Sequence, residues 1–349
     1  MTAKAASTPA VAGAAPPAVA SGDRELPRLR PGWITIAGKE FTDHLLSVRL
    51  YVLLFVLGLA ALIPLYFAAE TIRSVAQAAS GASAVFLALF TFAPEGADLL
   101  RVHTFVAIAA PLIGVGFAFD AVNGERSAGT LPRLLSQPIH RDDVINGKFA
   151  AGLAIISLVL VCMLAVIAGF GLLRLGITPT EGEVLRLVAW LGVTVLYVAL
   201  WLAFGLLLSV VLRRAATSAL VGLGVWLFVA VPQFGQFLVS LLGAVIAPGG
   251  SSAQDVLDAA GTQQFLLRLL PSTLYREASV VLLNPSVTAV TTPATIDQYD
   301  QYQQQMVGSL LSLDQSVLLV WPHVVILTAL TIGCFALAYA RFMRQEVRA

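Results

Sequence analysis

Long apolar runs separated by short polar stretches make up most of this chain. Six of the runs lie at about residues 50–69, 103–119, 149–173, 184–212, 215–247 and 317–340. A helix needs about 20 apolar residues to cross the core of a bilayer. The pattern therefore predicts an all-α polytopic membrane protein with six transmembrane helices.

Composition agrees with this prediction. Hydrophobic residues make up 58% of the chain and charged residues only 12%, whereas a soluble domain has about 25% charged residues. Residues 1–30 are rich in Ala, Pro, Ser and Thr, a composition that predicts a disordered cytoplasmic tail. The two cysteines, Cys162 and Cys334, lie inside apolar runs without ligand-spaced partners, so no metal site or disulfide is predicted.

Residues 31–49 have the pattern of an amphipathic helix. The polar residues Lys39, Glu40, Asp43 and His44 lie mostly opposite an apolar stripe formed by Ile34, Ala37, Phe41, Leu45 and Val48. Such a helix, with Trp33 as an anchor, is typical of the membrane interface. An ordinary helix packed against another domain is the alternative interpretation.

Two further features of the apolar pattern predict local structure. The run at 215–247 contains Pro232 between polar residues, which predicts a broken helix. Gln233 and Gln236 in this break are candidate pathway-lining residues, because polar groups at membrane depth are costly unless they face water, protein or substrate; the alternative is that they only cap the break. A shorter run, Ala84 to Phe92, predicts a re-entrant or interfacial helix.

Residues 248–316 form the largest region without a spanning run, here called the outer region. Its apolar pieces are split by Pro271, and they predict short helices at the outer membrane surface before the last span. The region is long enough to contact an extracytoplasmic partner.

A polar island at residues 120–148 separates the second predicted span from the third. Asn123 and Gly124 predict a turn, and Glu125 to Ser136 a short helix closed by Pro138. A second helix is expected to begin near Arg141 and to continue into the third span, because Asp142 and Asp143 suit a helix N-terminus. The island therefore predicts a short polar helix held between two spanning helices.

The distribution of basic residues predicts the orientation. Most of the 21 lysines and arginines lie in the N-terminal segment, the island, the loop after the fourth span and the C-terminal tail; the other side has only Arg73, Arg101, Arg174, Arg186, Arg268 and Arg276. Cytoplasmic loops carry an excess of Lys and Arg. The island and both termini are therefore expected in the cytoplasm.

The island also resembles a known family. The segments Gly124-Glu125-Arg126, Gly129-Thr130, Ser136-Gln137-Pro138 and Gly147-Lys148 are similar to the cytoplasmic signature of ABC-2-type transporter permeases, especially the NosY-like ones. Pro132 departs from the family pattern, because a proline is unexpected inside that helix. With the interfacial helix and the six-span layout, the resemblance covers residues 32–345.

The resemblance implies a permease subunit that forms a dimer with a second, identical permease chain. It also implies that the dimer docks two ATPase subunits made as separate chains. The chain has no GxxxxGK[ST] phosphate loop, so ATP and Mg²⁺ are expected on the ATPase and no cofactor on this chain. The implied ATPase-coupling residues are Glu125 and Arg126 as charged contacts, Gly129 and Thr130 for close approach, and Arg133 as a further charge.

Three functions are then compared. The first is ATP-driven transport, with export favoured, of a hydrophobic or amphipathic substrate across the cytoplasmic membrane. The second is a non-transporting accessory or maturation subunit that acts on an extracytoplasmic partner through residues 248–316. The third, a membrane enzyme, is disfavoured because His323 stands alone beside Pro322 and no HExxH motif is present. No feature predicts binding of nucleic acid.

Overall fold

Every regular element is helical in the part of the chain that the computed structural model describes, namely residues 31–74, 85–93, 99, 101–131, 140–246, 253–287 and 311–345. The helices are α1 (Gly32–Leu45), α2 (Val48–Ser74), α3 (Val85–Thr91), α4 (Val102–Ala118), α5 (Asn123–Ser127), α6 (Arg141–Phe170), α7 (Glu181–Val211), α8 (Ala215–Ala230), α9 (Pro232–Ile246), α10 (Ala253–Arg268), α11 (Pro271–Leu283) and α12 (Leu313–Met343). A π-helical turn, Gly171–Leu175, extends α6. The predicted tail at residues 1–30 lies outside the described residues.

Five segments among the described residues are long and apolar enough to cross a membrane: α2, α4 together with α5 (Val102–Ser127), α6 with its π-helical turn, α7 and α12. The pair α8 and α9 gives a sixth span if the two are counted together, although they are bent by 78° at Val231. Pro232 explains the bend, because a proline cannot donate a backbone hydrogen bond and forces the preceding residue out of the helical conformation. The all-α polytopic fold predicted from the sequence is confirmed.

Helix α7 lies at the centre of the bundle and packs against α4, α6, α11 and α12. Its Trp190 and Tyr197 are fully buried, and the Tyr197 hydroxyl donates to the carbonyl of Ala107 on α4 over 3.1 Å. Two turns after Ala107, Gly114 of α4 lies directly against the backbone of α7 at Leu202. These contacts make α4 and α7 a closely packed pair.

The short helices of the outer region form on both sides of Pro271, as the sequence predicts. Helix α11 packs against α7 and α12 rather than lying apart from the bundle, with Tyr275 and Leu282 buried. Hydrogen bonds hold it there, because the Trp190 indole donates to Ser279 over 3.0 Å and Thr194 bonds Tyr275 over 2.9 Å. Residues 288–310 lie outside the described part of the chain.

The apolar run at 84–92 forms the seven-residue helix α3. Protein covers its residues from Phe86 to Phe90. The backbone N–H of Phe86 donates to the carboxylate of Glu183 over 2.9 Å, which satisfies one of the donors left open at a helix start. Helix α3 is thus a short helix buried between longer ones.

Helix α1 lies against α6. Its polar residues Glu40 and His44 point toward the bundle, where the His44 ring packs edge-on against Phe117 at a centroid distance of 5.0 Å. The apolar side chains Ile34 and Leu45 are exposed instead. Phe41 of the predicted apolar stripe packs against the core, however, and Ile36 is buried. The apolar residues of α1 are therefore divided between the protein and its outside.

Candidate functional site

The polar island forms a very short helix, α5, at one end of the bundle. It begins at Asn123 and ends at Ser127, so the sequence-based prediction of a turn at Asn123-Gly124 and a helix from Glu125 to Ser136 was wrong at its start and at residues 128–130, whereas Leu131 is helical. The chain leaves the helix because Gly129 has the left-handed backbone angle φ of 68°, which glycine adopts without strain. Pro132, Arg133 and the Ser136-Gln137-Pro138 segment lie outside the described residues.

The start of α5 is fixed to the end of α7. The hydroxyl oxygen of Ser209 accepts hydrogen bonds from the backbone N–H groups of Val122, over 2.9 Å, and Asn123, over 3.2 Å. The Asn123 side chain donates to the carbonyl of Leu212 over 3.4 Å. Ser209 therefore satisfies two donors that a helix N-terminus leaves open.

Lys148 joins α5 to α1 and α6. Its ammonium group is buried and lies 2.7 Å from the Glu125 carboxylate and 3.0 Å from that of Glu40. The second oxygen of Glu125 is buried without a hydrogen-bond partner among the described residues. The first turn of α6 also holds α1, because the carboxylate of Asp143 accepts from the backbone N–H of Trp33 over 3.0 Å.

A second lysine on α1 is in a different environment. Lys39 is exposed and pairs with Asp43 over 3.2 Å. Partial burial acts to lower the pKa of Lys39, but the hydrogen bond to Asp43 and the nearby negative charges outweigh it, so this pKa is raised. The ammonium group therefore stays charged at neutral pH.

Arg126 joins α5 to the end of α12. Its guanidinium group donates to the side-chain oxygen of Gln345. The side-chain nitrogen of Gln345 donates to the carbonyl of Val210 over 2.7 Å, and its backbone carbonyl accepts from Arg141 over 3.0 Å. Helix α5 is thus bonded to the ends of α6, α7 and α12, besides α1.

A cavity of about 300 Å³ lies beside α5. Its polar wall includes Glu40, Glu125 and Lys148, and its apolar wall includes Phe149 and Leu202. Apolar packing around α5 is therefore incomplete. Hydrogen bonds and ion pairs hold this side of α5, while Val122 and Asn123 at its start are fully buried.

The structure separates the predicted coupling residues into two groups. Glu125 and Arg126 are half-buried and bonded within the chain, whereas Gly129 and Thr130 are exposed together with Ser127 and Ala128. The four exposed residues 127–130 are here called the tip.

Sequence reasoning missed Ser209 and Gln345 and used Lys148 only as part of a motif. No local pattern could have indicated the first two, because their partners lie far away in the chain.

The candidate pathway-lining residues lie on another element. Gln233 and Gln236 are in the first turn of α9, which contacts α8 and α10, and both side chains are exposed. The structure does not bring them together with the coupling residues.

His323 has a packing role. It is buried on α12, and its ring nitrogen Nε2 lies 2.9 Å from the Glu277 carboxylate on α11. Glu277 also pairs with Arg268 over 3.3 Å. The three side chains link α10, α11 and α12.

The helical bundle combines continuous spans, one broken span and a short polar helix bonded across one end. These features define a polytopic membrane protein. The family described as "ABC-2 family transporter protein" matches residues 34–347. The chain belongs to this family.

Two curated relatives carry the same printed name, "Probable ABC transporter permease protein NosY". The one from Stutzerimonas stutzeri is 33% identical over 187 residues, which are 52% of this chain and 60% of that protein. The one from Pseudomonas aeruginosa is 31% identical over 249 residues, which are 69% of this chain and 79% of that protein. The match therefore covers less than two thirds of the first relative's length.

Proposed function

We propose that this chain moves a hydrophobic or amphipathic substrate across the cytoplasmic membrane, in the direction of export, and that a separate ATPase drives it. The working unit consists of two identical copies of the chain and two ATPase subunits that hold ATP and Mg²⁺. Both termini and the tip face the cytoplasm in this proposal. Membership of the ABC-2 family supports an ATPase partner in general.

The observation that carries this proposal is the exposed tip on a helix that is bonded to α6, α7 and the end of α12, and through Lys148 to α1. The tip at residues 127–130 is open to a partner, while α5 behind it is tied to α1, α6, α7 and α12. A force applied to the tip therefore reaches three spanning helices directly. A contiguous network of polar contacts of this kind can carry coupling between a partner and the spans.

The five coupling residues then have different roles. Gly129 and Thr130 contact the ATPase, because they are exposed and small enough for close approach. Glu125 and Arg126 pass the movement on through their bonds to Lys148 and Gln345. Arg133 remains a predicted further contact outside the described residues.

We also propose that Gln233 and Gln236 line the substrate pathway. Both are exposed in the first turn after the 78° bend between α8 and α9. An exposed amide at membrane depth is costly in lipid, so a water-filled or substrate-filled path, or a second copy of the chain, explains their exposure better than lipid does.

A pull-down with a matched pair of variants tests the docking. The tagged chain is purified in detergent from its native membrane, and the co-purifying ABC ATPase is identified by mass spectrometry and assayed. Thr130→Arg at the tip should reduce the captured ATPase at least about tenfold, because losing a central interface contact costs about 2 kcal/mol.

Thr178→Arg is the control. Thr178 is also exposed and lies in the loop between α6 and α7, at their ends far from α5, so the same substitution there should leave ATPase capture unchanged. Equal capture by both variants would contradict docking at the tip. ATP hydrolysis without flux of any candidate substrate in proteoliposomes would favour the accessory function on an extracytoplasmic partner.

A further inference from the structure

Gln345 lies where four helices meet. It follows α12 by two residues, and its side-chain amide bonds Arg126 of α5 and the carbonyl of Val210 on α7. Its backbone carbonyl accepts from Arg141 in the first turn of α6. One residue near the end of the last span is therefore in contact with the short polar helix and with two other spans.

The neighbouring charges of α5 connect to different helices. Glu125 bonds Lys148, which leads to α1 and α6. Arg126 bonds Gln345, which leads to α7 and α12. A displacement of α5 is thus passed to α6 through Glu125 and Lys148, to α7 also through Ser209, and to α12 through Gln345.

We propose that Gln345 is a positioning residue through which movement of α5 reaches α12. This inference rests on the proposed function, in which an ATPase moves the tip. An amide has both a donor and an acceptor, so Gln345 holds the Arg126 cation and the Val210 carbonyl at the same time. The bond to the guanidinium group is charge-assisted and is therefore the stronger of the two.

Two substitutions separate positioning from a general structural role. Gln345→Glu keeps the acceptor for Arg126 and loses the donor to Val210, whereas Gln345→Lys keeps a donor for Val210 and repels Arg126. If Gln345 only stabilised the end of α12, the two variants would be destabilised to a similar extent, because each loses one hydrogen bond. If it positions α5, only Gln345→Lys should fail.

Hydrogen exchange of the purified permease, without any ATPase, is the first measurement. In Gln345→Lys the backbone amides of residues 122–130 should exchange about tenfold faster, since a hydrogen bond to a charged group contributes at least about that factor. Gln345→Glu should exchange like the unmodified chain, and so should Arg344→Ala, which alters the exposed neighbouring side chain. Unchanged exchange in Gln345→Lys overturns the inference.

ATP hydrolysis by the captured complex is the second measurement. Gln345→Lys should capture a normal amount of ATPase, but hydrolysis should fall to the rate of the isolated ATPase. Adding Arg126→Glu restores an ion pair with Lys at position 345 and should restore the rate. Capture of no ABC ATPase by the unmodified chain would overturn the proposed function, whereas normal capture with a normal rate in Gln345→Lys overturns only the role of Gln345.

Discussion

A single buried ammonium group holds three helices together beside the tip. Lys148 lies within 3.0 Å of two carboxylates, those of Glu40 and Glu125, and Lys39 adds a weaker contact with Glu40 at 3.8 Å. Two close carboxylates repel each other unless a cation lies between them. Lys148 is therefore the charge that keeps α1 beside α5.

Removing this charge should destabilise the protein. Lys148→Met leaves the carboxylates of Glu40 and Glu125 together without their shared cation, and breaking such a buried pair costs about 3 kcal/mol. The measurement is the free energy of unfolding of the detergent-solubilised chain. Adding Glu125→Gln to Lys148→Met should recover part of the loss, because it removes the repulsion.

Lys39→Met provides the matched control. The Lys39 side chain is 63% exposed, and a surface ion pair contributes less than about 1 kcal/mol. If Lys148→Met and Lys39→Met lower the free energy of unfolding equally, the buried ion pairs of Lys148 do not hold this end of the molecule.

At the scale of elements, glycine determines how closely α4 and α7 approach. A Cβ atom added at Gly114 would lie 2.9 Å from the backbone nitrogen of Leu202, whereas one added at Gly116 would meet no atom within 4 Å. The two glycines are in the same helix, two residues apart. Replacing each of them by alanine therefore separates the effect of close packing on stability from the effect of helix propensity within one helix.

Gly114→Ala should push α4 away from α7 and lower the free energy of unfolding by about 1–3 kcal/mol, because the added methyl group overpacks the contact. Gly116→Ala should leave it unchanged or raise it by up to about 1 kcal/mol, since alanine favours the helix over glycine. Thermal unfolding of both variants measures the difference. Equal unfolding temperatures would show that the approach of α4 to α7 does not depend on Gly114.

The proline and glycine residues of the sequence predict the ends of elements with unequal success. Pro232 and Pro271 mark boundaries that the structure confirms, because a proline acts through its own missing N–H and fixed backbone angle. Gly129 also ends an element, but its left-handed conformation depends on the path of the surrounding chain. For that reason the early end of α5 at Ser127 was not predicted.

At the scale of the whole molecule, α1, α5, the start of α6 and the ends of α7 and α12 meet at one end. The concentration of lysines and arginines in these segments and in the tails predicts that this end faces the cytoplasm. The loop between α6 and α7, with Thr178, is then expected outside.

Cysteine labelling tests the orientation. With Cys162 and Cys334 replaced by alanine, Ala128→Cys at the tip should react with a membrane-impermeant maleimide only from the cytoplasmic side. Ala128 is preferred to Gly129, whose φ of 68° would strain a cysteine. Thr178→Cys should react only from the opposite side. Labelling of both positions from one side would contradict the topology.

The sequence by itself determined the class of protein, the approximate positions of the spans and the presence of a polar helix between the second and third of them. These features depend on the length of apolar runs and on residues that break helices, which are local properties of the chain. Only the tertiary structure decided which side chains meet around α5, behind the tip. Lys148 and Glu40 are 108 residues apart, Asn123 and Ser209 are 86 apart, and Arg126 and Gln345 are 219 apart. Such pairs form because helix packing brings the ends of distant spans together, and no local pattern records that packing.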